Sequence, residues 1–311
     1  LAAFKPPERY TVSTWANKFR VLPSTSAEPG PWHTHRTPYL REPMDMLNND
    51  LIESIVLCFG AQIGKTEAEL NMIGFALHQS KAPVMMVYPT DMLAKFNSEK
   101  RVQPMITNTE PLANMYNENA SSKLELNFNT GNYMVLSGAN SPSSLASRAI
   151  KYVFFDEVDK YPVFSGKEAN PIKLATERTK TFVDAKHVMV STPTVENGNI
   201  WTAFKQAHAQ KEYYVPCPHC GEYQKLVFKQ IKWPDEAKGN KDRIRDTAYY
   251  ECAHCKKAIH DKHKMDMLRN GEWRTENEPL IVFVLSMDSL WESCVRVLYL
   301  KRFPGPAYEL Y

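Results

Sequence analysis

The sequence predicts an α/β fold in which a mostly parallel sheet is flanked by helices and followed by a small β module. Three observations support this prediction. An apolar strand runs into a glycine turn and a helix, a second apolar strand ends in two carboxylates, and two close pairs of cysteines follow in the last third of the chain. In open sheets of this kind, ligands bind at the carboxyl ends of the strands.

Size and composition set the broad class. The chain has 311 residues, which suits two domains rather than one. Its longest apolar runs, such as IVFVLSM, are too short to cross a bilayer, and no signal-peptide core is visible near the N-terminus. We therefore expect a cytosolic location and no membrane partner. A net charge of +3 permits a nucleic-acid partner without requiring one.

The first strand and its turn form the most informative motif. Residues 53–66 read ESIVLCFGAQIGKT, and the helical pattern EAELNMIGFALHQ follows, weakened only by Gly74. The turn predicts a phosphate-binding loop, because backbone N–H groups and Lys65 can bind nucleotide phosphates while the Thr66 hydroxyl binds Mg²⁺. The common motif has one more residue between its glycines, so an ordinary loop is the alternative. The loop would comprise Gly60, Ala61, Gln62, Ile63, Gly64, Lys65 and Thr66.

A second motif lies about ninety residues further on, where residues 151–157 read KYVFFDE. Four apolar residues followed by two carboxylates are typical of a central parallel strand that ends at a Walker B site. Asp156 would hold the magnesium ion through its water shell, and Glu157 would orient and deprotonate the water that attacks the γ phosphorus. The alternative is a polar turn before Tyr161 and Pro162.

The remaining elements complete the alternation of strands and helices. The lead up to Pro31 is proline-rich and is expected to be extended, and residues 32–46 form a loop entering a helix. We expect strands at 84–87, 123–128, 132–136 and 187–190, with a turn at 129–131, and helices at 91–106 and 172–182. The candidate residues then share one edge of the sheet: Lys65, Thr90, Asp156, Glu157 and Thr192. This pattern predicts a P-loop NTPase of the ASCE or RecA-like type.

The cysteines predict a zinc-ribbon-like module. Cys217 and Cys220 form one Cys-x-x-Cys pair, and Cys252 and Cys255 form the other. Two such turns can supply the four thiolates of a closed structural zinc site, and a cytosolic chain disfavours disulfides. A ribbon that has lost its metal and a metal-cluster site are the alternatives. His219 and His254 lie inside the turns but are not needed as ligands, and Cys58 and Cys294 are expected to be buried thiols.

Taken in order, these motifs resemble a known family. RTPYLREPMDML, GAQIGKTEAELN, SLASRAIKYVFFDEVDKYP, STPT and YYVPCPHCGEYQKL together are similar to the large terminase subunit of tailed bacteriophages, of the lambda-like GpA type. The resemblance extends from about Arg20 to Glu278. It implies an ATPase motor that drives double-stranded DNA into a procapsid through the portal protein, together with a small terminase subunit, as a homo-oligomeric ring in the host cytoplasm.

The resemblance also implies roles for individual residues. Residues 60–66 correspond to the phosphate loop, Asp156 to the magnesium carboxylate and Glu157 to the catalytic base. Residues 191–194 resemble the motif that couples hydrolysis to subdomain movement, where Thr192 can sense loss of the γ phosphate. The implied segments are an N-terminal lead and adenine-side segment at 1–45, an ATPase core at 46–210, a zinc-ribbon-like module at 211–278 and an atypical tail at 279–311.

Three further roles are predicted with plain alternatives. Arg148 is a candidate for the arginine that neutralises transition-state charge, with reach to a neighbouring subunit, and the alternative is a surface arginine. Trp32, Arg36 and Tyr39 precede the phosphate loop where adenine contacts are often found, and the alternative is core packing. The basic, aromatic stretch at 211–264 is a candidate for contacts with the DNA backbone, or it is simply solvated.

The tail departs from the family. Full-length relatives carry a C-terminal endonuclease, but the sequence after Pro279 does not align with it. Asp266, Glu272 and Asp288 give no convincing two-metal set. The sequence therefore suggests a truncated or frame-shifted reading of a longer gene. Two other functions stay open: a helicase-like remodeller of nucleic acid, and a zinc-bearing scaffold with a vestigial nucleotide site.

Overall fold

A computed structural model describes residues 8–166 and 169–275 with their side chains, and the backbone of 284–289 and 293–301. Among the described residues the α-helices are α1 (Val12–Phe19), α2 (Arg41–Asp45), α3 (Lys65–Phe75), α4 (Asp91–Asn97), α5 (Gln103–Asn108), α6 (Glu110–Ala113), α7 (Pro142–Leu145), α8 (Pro171–Thr176), α9 (Asn199–Lys205), α10 (Lys241–Thr247) and α11 (Lys264–Arg269).

The strands begin with a two-residue pair near the N-terminus and continue through the sheet into the cysteine-bearing part. They are β1 (Val21–Leu22), β2 (Gly30–Pro31), β3 (Ile52–Cys58), β4 (Val84–Tyr88), β5 (Tyr116–Asn117), β6 (Glu125–Phe128), β7 (Tyr133–Gly138), β8 (Tyr152–Asp156), β9 (Lys186–Ser191), β10 (Gln210–Pro216), β11 (Tyr223–Lys225), β12 (Ile231–Lys232), β13 (Tyr249–Glu251), β14 (Ala258–Ile259), β15 (Glu272–Thr275), β16 (Val284–Ser289) and β17 (Ser293–Lys301).

The central sheet has the strand order β3-β9-β8-β4-β7-β6-β5. The first five strands are parallel, and β6 and β5 are antiparallel additions. Strands β4 and β8 are buried along their whole length, which is why they read as continuous apolar runs. Strand β9 lies between β3 and β8, so the strands that carry the two nucleotide motifs are not neighbours. All five parallel strands present their carboxyl ends at one edge, and the predicted fold class is confirmed.

Helix α3 is buried on nearly every side, because α1 packs over it. A Cβ atom on Gly74 would lie 2.4 Å from Trp15 Cη2, so the glycine that weakens the helical pattern permits this close approach. Trp15 is fully buried, and its Nε1 donates to His78 Nδ1. Because α1 occupies Val12–Phe19, the prediction that the lead is extended up to Pro31 was wrong. Thr11 caps this helix in a box with Thr14, in place of the usual Glu or Gln.

Two predicted helices are shorter or more irregular than their patterns suggest. The helix expected at 91–106 is present as α4 and α5, joined by a π-helical turn at Ser98–Val102. The helix expected at 172–182 begins at Pro171 as α8 and continues only as a 3₁₀ turn at Glu177–Thr179. The predicted hairpin is present as β6 and β7, with Gly131 at a positive φ in its turn.

The cysteine-bearing part begins with β10, which pairs with β11 and β15. A separate small sheet of β12, β13 and β14 carries the second cysteine pair at its end. Further along, the backbone of β16 and β17 forms a hairpin, and β17 pairs antiparallel with β3. Apart from these strands, the predicted tail at 279–311 lies outside the described residues. In the part of the chain that the structure describes, no helix is long and apolar enough to cross a membrane.

Candidate active site

The phosphate loop continues β3 and leads directly into α3. Its start is tied to the end of β9, because Phe59 N donates to Ser191 O at 3.0 Å. Two of its residues, Gln62 (φ 58°) and Gly64 (φ 85°), lie in the left-handed region. This conformation is sterically unfavourable for Gln62, which is not a glycine. Gly64 is the N-cap of α3, so the unpaired N–H groups of the first helical turn face the loop, as anion binding requires.

Lys65 connects the loop to two other strand ends. Its Nζ donates to Thr192 Oγ1 at 2.6 Å and lies 3.5 Å from Glu157 Oε1. Glu157 also accepts from Lys160 Nζ at 2.9 Å, and it has a left-handed φ of 56° directly after β8. Strained backbone in a non-glycine residue is common at functional sites. The structure thus brings three predicted site residues together at the carboxyl edge.

Asp156 is the last residue of β8 and is 7% exposed. Burial, followed by the charge of Glu157, raises the pKa of Asp156 to about 6, while Lys65 and Arg101 oppose this rise. Its Oδ1 has no hydrogen-bond partner among the described residues. A buried carboxylate oxygen without a protein partner fits the water shell of a Mg²⁺ ion. The half-buried Thr66 would supply the hydroxyl ligand. The sequence gives no signal for Arg101.

Asp159 organises the loop after β9, a role that is not predicted from the sequence. Its Oδ2 accepts from Thr194 N at 2.9 Å and from Thr194 Oγ1 at 3.1 Å. Its Oδ1 accepts from Ile200 N at 2.7 Å, in the first turn of α9. A Cβ atom on Gly198 would lie only 2.5 Å from this carboxylate. Asp159 therefore holds residues 191–194 and the start of α9 against the strand that carries Asp156.

Two more charged residues under the loop carry no sequence signal. Arg20, whose side chain is only 1% exposed, donates from Nη2 to Glu67 Oε2 at 2.9 Å on the first turn of α3. Glu69, on the same helix, is fully buried, and neither of its carboxylate oxygens has a partner among the described residues. Burial, followed by the charges of Asp156 and Glu157, raises the pKa of Glu69 well above its usual value. Arg20 reaches its partner across 47 positions of the sequence, whereas Glu69 is recognisable only by its burial in the folded chain.

The three residues predicted on the adenine side have other contacts. Trp32 is buried and donates from Nε1 to Thr34 Oγ1 at 3.0 Å. Arg36 pairs with the exposed Glu28. Tyr39 is 8% exposed and donates its hydroxyl to Ile63 O, inside the phosphate loop. For Trp32 and Tyr39 the structure thus favours the packing alternative over base stacking.

Arg148 donates from Nη1 and Nη2 to Glu125 Oε1 and Oε2, at 2.6 and 2.9 Å. Glu125 lies on β6, three strands away from β8 in the sheet. The residues in register with it are Val135 on β7, Met85 on β4 and Val153 on β8. Three strand spacings correspond to about 14 Å, so the partner of Arg148 lies far across the sheet from β8. In this structure Arg148 is engaged in a partly exposed ion pair with Glu125, and its catalytic role stays a prediction.

The four predicted zinc ligands converge, with all Sγ atoms within 4.8 Å of one another: Cys217, Cys220, Cys252 and Cys255. The Cys217–Cys255 and Cys220–Cys252 sulfur distances are 3.9 and 3.8 Å. A tetrahedral site with Zn–S bonds of about 2.3 Å places its sulfurs about 3.8 Å apart, so the arrangement is compatible with zinc. The backbone N–H groups of His219 and Cys255 each lie 3.4 Å from a cysteine sulfur, as in metal-binding turns.

The sheet order and the position of the phosphate loop define the protein as a P-loop NTPase-type α/β fold with an added cysteine module. Comparison with known families assigns it more closely. The chain belongs to the family described as phage terminase large subunit gpA, ATPase domain, whose model matches residues 26–273. The family that the sequence motifs resemble is therefore confirmed.

Individual relatives agree with this assignment. The chain is 28% identical over 278 residues to the terminase large subunit of Enterobacteria phage P21, covering 87% of this chain and 42% of the relative. It is 25% identical over 255 residues to that of Escherichia phage lambda, covering 80% and 39%. The chain therefore spans about two fifths of the length of these curated relatives. The crystal structure of the HK97 bacteriophage large terminase matches with a TM-score of 0.51 and 11% identity, over 63% of this chain and 40% of that one, and shares the fold.

Proposed function

We propose that this chain hydrolyses ATP with Mg²⁺ at the carboxyl edge of its central sheet. The observation that supports this most directly is the contact of Lys65 Nζ with Thr192 Oγ1 and its approach to Glu157 Oε1, which joins the ends of three strands. Backbone N–H groups of residues 60–66 and Lys65 would bind the phosphates. Thr66 and Asp156 would hold the hydrated metal ion, which neutralises charge on the transferred phosphoryl group.

Glu157 is proposed as the general base. Its carboxylate now accepts from Lys160 and faces Lys65. When Lys65 turns to the phosphates, one of these partners is withdrawn, and Glu157 can accept a proton from the attacking water. The same movement breaks the bond from Lys65 to Thr192. Since Asp159 ties the adjoining Thr194 to α9, a change at Thr192 would be passed to that helix.

Within a complete terminase, we propose that this activity drives packaging of double-stranded DNA into a procapsid. The partners would be the DNA, the small terminase subunit, the portal protein and further copies of the chain in a ring, in the host cytoplasm. The family assignment supports this role. Endonuclease activity would belong to the remainder of a full-length chain. Residues 46–210 would be the ATPase core, with the lead at 1–45, the zinc-bearing module at 211–278 and the tail at 279–311.

The test is magnesium-dependent ATP hydrolysis by the chain and by Glu157→Gln, with and without duplex DNA. Loss of the base should lower kcat about 10²- to 10⁴-fold. Glu177→Gln is the matched control, because Glu177 pairs only with Lys180 in an exposed ion pair among the described residues. Equal rates for wild type and Glu157→Gln would contradict the proposal. Turnover with strand separation would favour a helicase-like remodeller, and no turnover under any condition would favour a scaffold.

For Arg148 we propose a contribution to the nucleotide site of a neighbouring subunit. Arg148→Ala should then lower ATP turnover in the assembled motor by about 10³- to 10⁵-fold, while the isolated chain is unaffected. Glu125→Gln is the matched variant, because it releases the arginine without removing it. Unchanged turnover by Arg148→Ala in the assembled motor would remove this residue from the mechanism.

For the four cysteines we propose a structural zinc ion. Metal analysis of the purified chain should find one zinc per chain, and a chelator should unfold the module, since zinc binding in such sites contributes about 10 kcal/mol or more. Limited proteolysis should then cut within 211–278 first. A chain without zinc that resists proteolysis there would contradict the proposal and favour a ribbon that has lost its metal.

A further inference from the structure

The phosphate loop rests on a short 3₁₀ turn, Pro38–Leu40, from the N-terminal segment. The Tyr39 hydroxyl donates to Ile63 O at 3.1 Å. One residue later in the loop, a Cβ atom on Gly64 would lie only 3.0 Å from Leu40 Cδ1, so the turn leaves no room for a side chain there. The turn therefore bonds Ile63 and closely approaches Gly64, next to the strained Gln62.

The same turn is held from its other side by the cysteine-bearing part. Trp273 of β15 donates from Nε1 to Tyr39 O at 3.1 Å, and this bond is buried. The Tyr213 ring of β10 packs edge-on between them, with centroids 6.2 Å from Tyr39 and 4.9 Å from Trp273. Tyr213 is itself fixed by its hydroxyl bond to Leu268 O at 2.6 Å. Trp273, Tyr39 and Ile63 thus form one connected path from β15 into the loop.

The path lies beside a cavity and within a wider packing contact. A cavity of about 490 Å³ opens beside it, lined by Pro38, Arg41, Tyr213 and Trp273 among others. A part-buried ion pair between Lys211 and Glu42 also connects β10 to the N-terminal segment. Tyr39, Tyr213 and Trp273 belong to one buried apolar cluster, so packing holds the three rings together and the hydrogen bonds fix their orientation within it.

We propose that Tyr39 and Trp273 are positioning residues for nucleotide binding, so that the strands of the cysteine module hold the phosphate loop in its binding conformation. The proposal rests on the proposed function, in which this loop binds ATP. Gln62 is held in an unfavourable backbone conformation just before the carbonyl that Tyr39 contacts, and such strain persists only where neighbours over-determine it. The direction of the Ile63 carbonyl also sets the direction of the following N–H, which is one of the phosphate donors.

The experiment compares Tyr39→Phe, Trp273→Phe and the double variant. Each retains an aromatic ring and removes one donor. ADP affinity measured by calorimetry in Mg²⁺, and KM and kcat for ATP, should show about five- to tenfold weaker binding for Tyr39→Phe, with a smaller change in kcat. Because Trp273 acts through Tyr39, Trp273→Phe should weaken binding by about threefold alone and by less than about twofold in the Tyr39→Phe background.

Tyr152→Phe is the matched control, because its buried hydroxyl bonds Ser80 at the opposite edge of the sheet. It should leave ADP affinity unchanged. If Trp273→Phe fails to fold by circular dichroism, amide hydrogen exchange in residues 60–66 decides, since Tyr39→Phe should accelerate it and Tyr152→Phe should not. Wild-type affinity in both single variants, or independent effects in the double variant, would overturn the inference while the proposed function stands. A wild-type chain that binds no ADP would overturn both.

Discussion

The two edges of the central sheet hold buried polar groups in opposite ways. At the amino edge, Lys186 Nζ donates to the carbonyls of Asn49 and Ile52 at 2.6 and 2.5 Å. The Tyr152 hydroxyl there lies 2.9 Å from Ser80 Oγ. At the carboxyl edge, several buried polar atoms lack a partner among the described residues: Asp156 Oδ1, the Tyr88 hydroxyl and both oxygens of Glu69.

This contrast indicates that the carboxyl edge is the one adapted to bind a ligand. A buried polar group without a partner costs about 1–3 kcal/mol, so a fold without a function there would replace or satisfy it. Unsatisfied groups are expected where a ligand supplies the missing partners. The amino edge therefore satisfies these buried polar groups within the fold, whereas the carboxyl edge leaves buried acids near Lys65 without a partner among the described residues.

Lys186 gives the largest expected effect. Burial lowers its pKa from 10.5 to about 8, against the charges of Asp50 and Asp184. Between these two values the unfolded chain binds a proton that the folded chain has released, so the free energy of unfolding rises with pH. The rise from pH 8 to pH 10.5 should be about 3 kcal/mol, and it is lost as the pH falls through 8. Urea unfolding of wild type and Lys186→Met at several pH values measures this rise. It is the change with pH in the difference between their free energies of unfolding.

Lys180→Met is the control for Lys186, because the Lys180 side chain is 71% exposed and its removal should change the free energy of unfolding little. If the wild-type and Lys186→Met stability curves stay parallel up to pH 10.5, the two carbonyls stabilise the charged lysine enough to cancel its burial. The amino edge would then hold its cation without any shift in pKa, and it would differ more strongly from the carboxyl edge.

Substitution of Glu69 should have an intermediate effect on the free energy of unfolding. Unlike an ordinary core substitution, it should raise this free energy. Glu69→Met removes a fully buried carboxyl without a partner among the described residues, so the apo protein should gain about 2 kcal/mol at pH 7. The control is Glu67→Met on the same helix, which strands the buried Arg20 and should lose about 2 kcal/mol. Urea unfolding measures both. A loss of stability in Glu69→Met would mean that this carboxyl supports the fold and is no sign of a functional edge.

The sequence predicts the residues of the carboxyl edge that lie in contiguous motifs, but it does not predict those whose partners are distant in the chain. Residues 60–66 and the pair Asp156 and Glu157 are contiguous and follow apolar strands, so pattern alone places them at strand ends and gives the fold class correctly. Arg20 and Asp159 are single charged residues whose partners lie tens of residues away, and only the folded chain brings them together. The roles assigned to the motif residues themselves stay predictions.

The N-terminal segment shows a second reason for failure. Helix α1 is short, and its capping box has Thr14 where the recognisable pattern has Glu or Gln. The proline-rich surroundings therefore lead to the prediction of an extended segment. Tyr39 shows a third. An aromatic residue before a phosphate loop is equally compatible with base stacking and with packing, and its hydroxyl bond to Ile63 depends on the turn at Pro38–Leu40.

The smallest expected effect comes from one substitution made at both edges. Tyr152 and Tyr88 lie on the neighbouring strands β8 and β4, and both are buried. Tyr152→Phe removes a hydroxyl bonded to Ser80 and should cost about 1 kcal/mol, whereas Tyr88→Phe removes a hydroxyl without a partner among the described residues and should change stability by less than about 0.5 kcal/mol or increase it. Thermal and urea unfolding at pH 7 measure the pair. Equal losses would show that the Tyr88 hydroxyl is bonded in solution, and the two edges would then differ only in their charged groups.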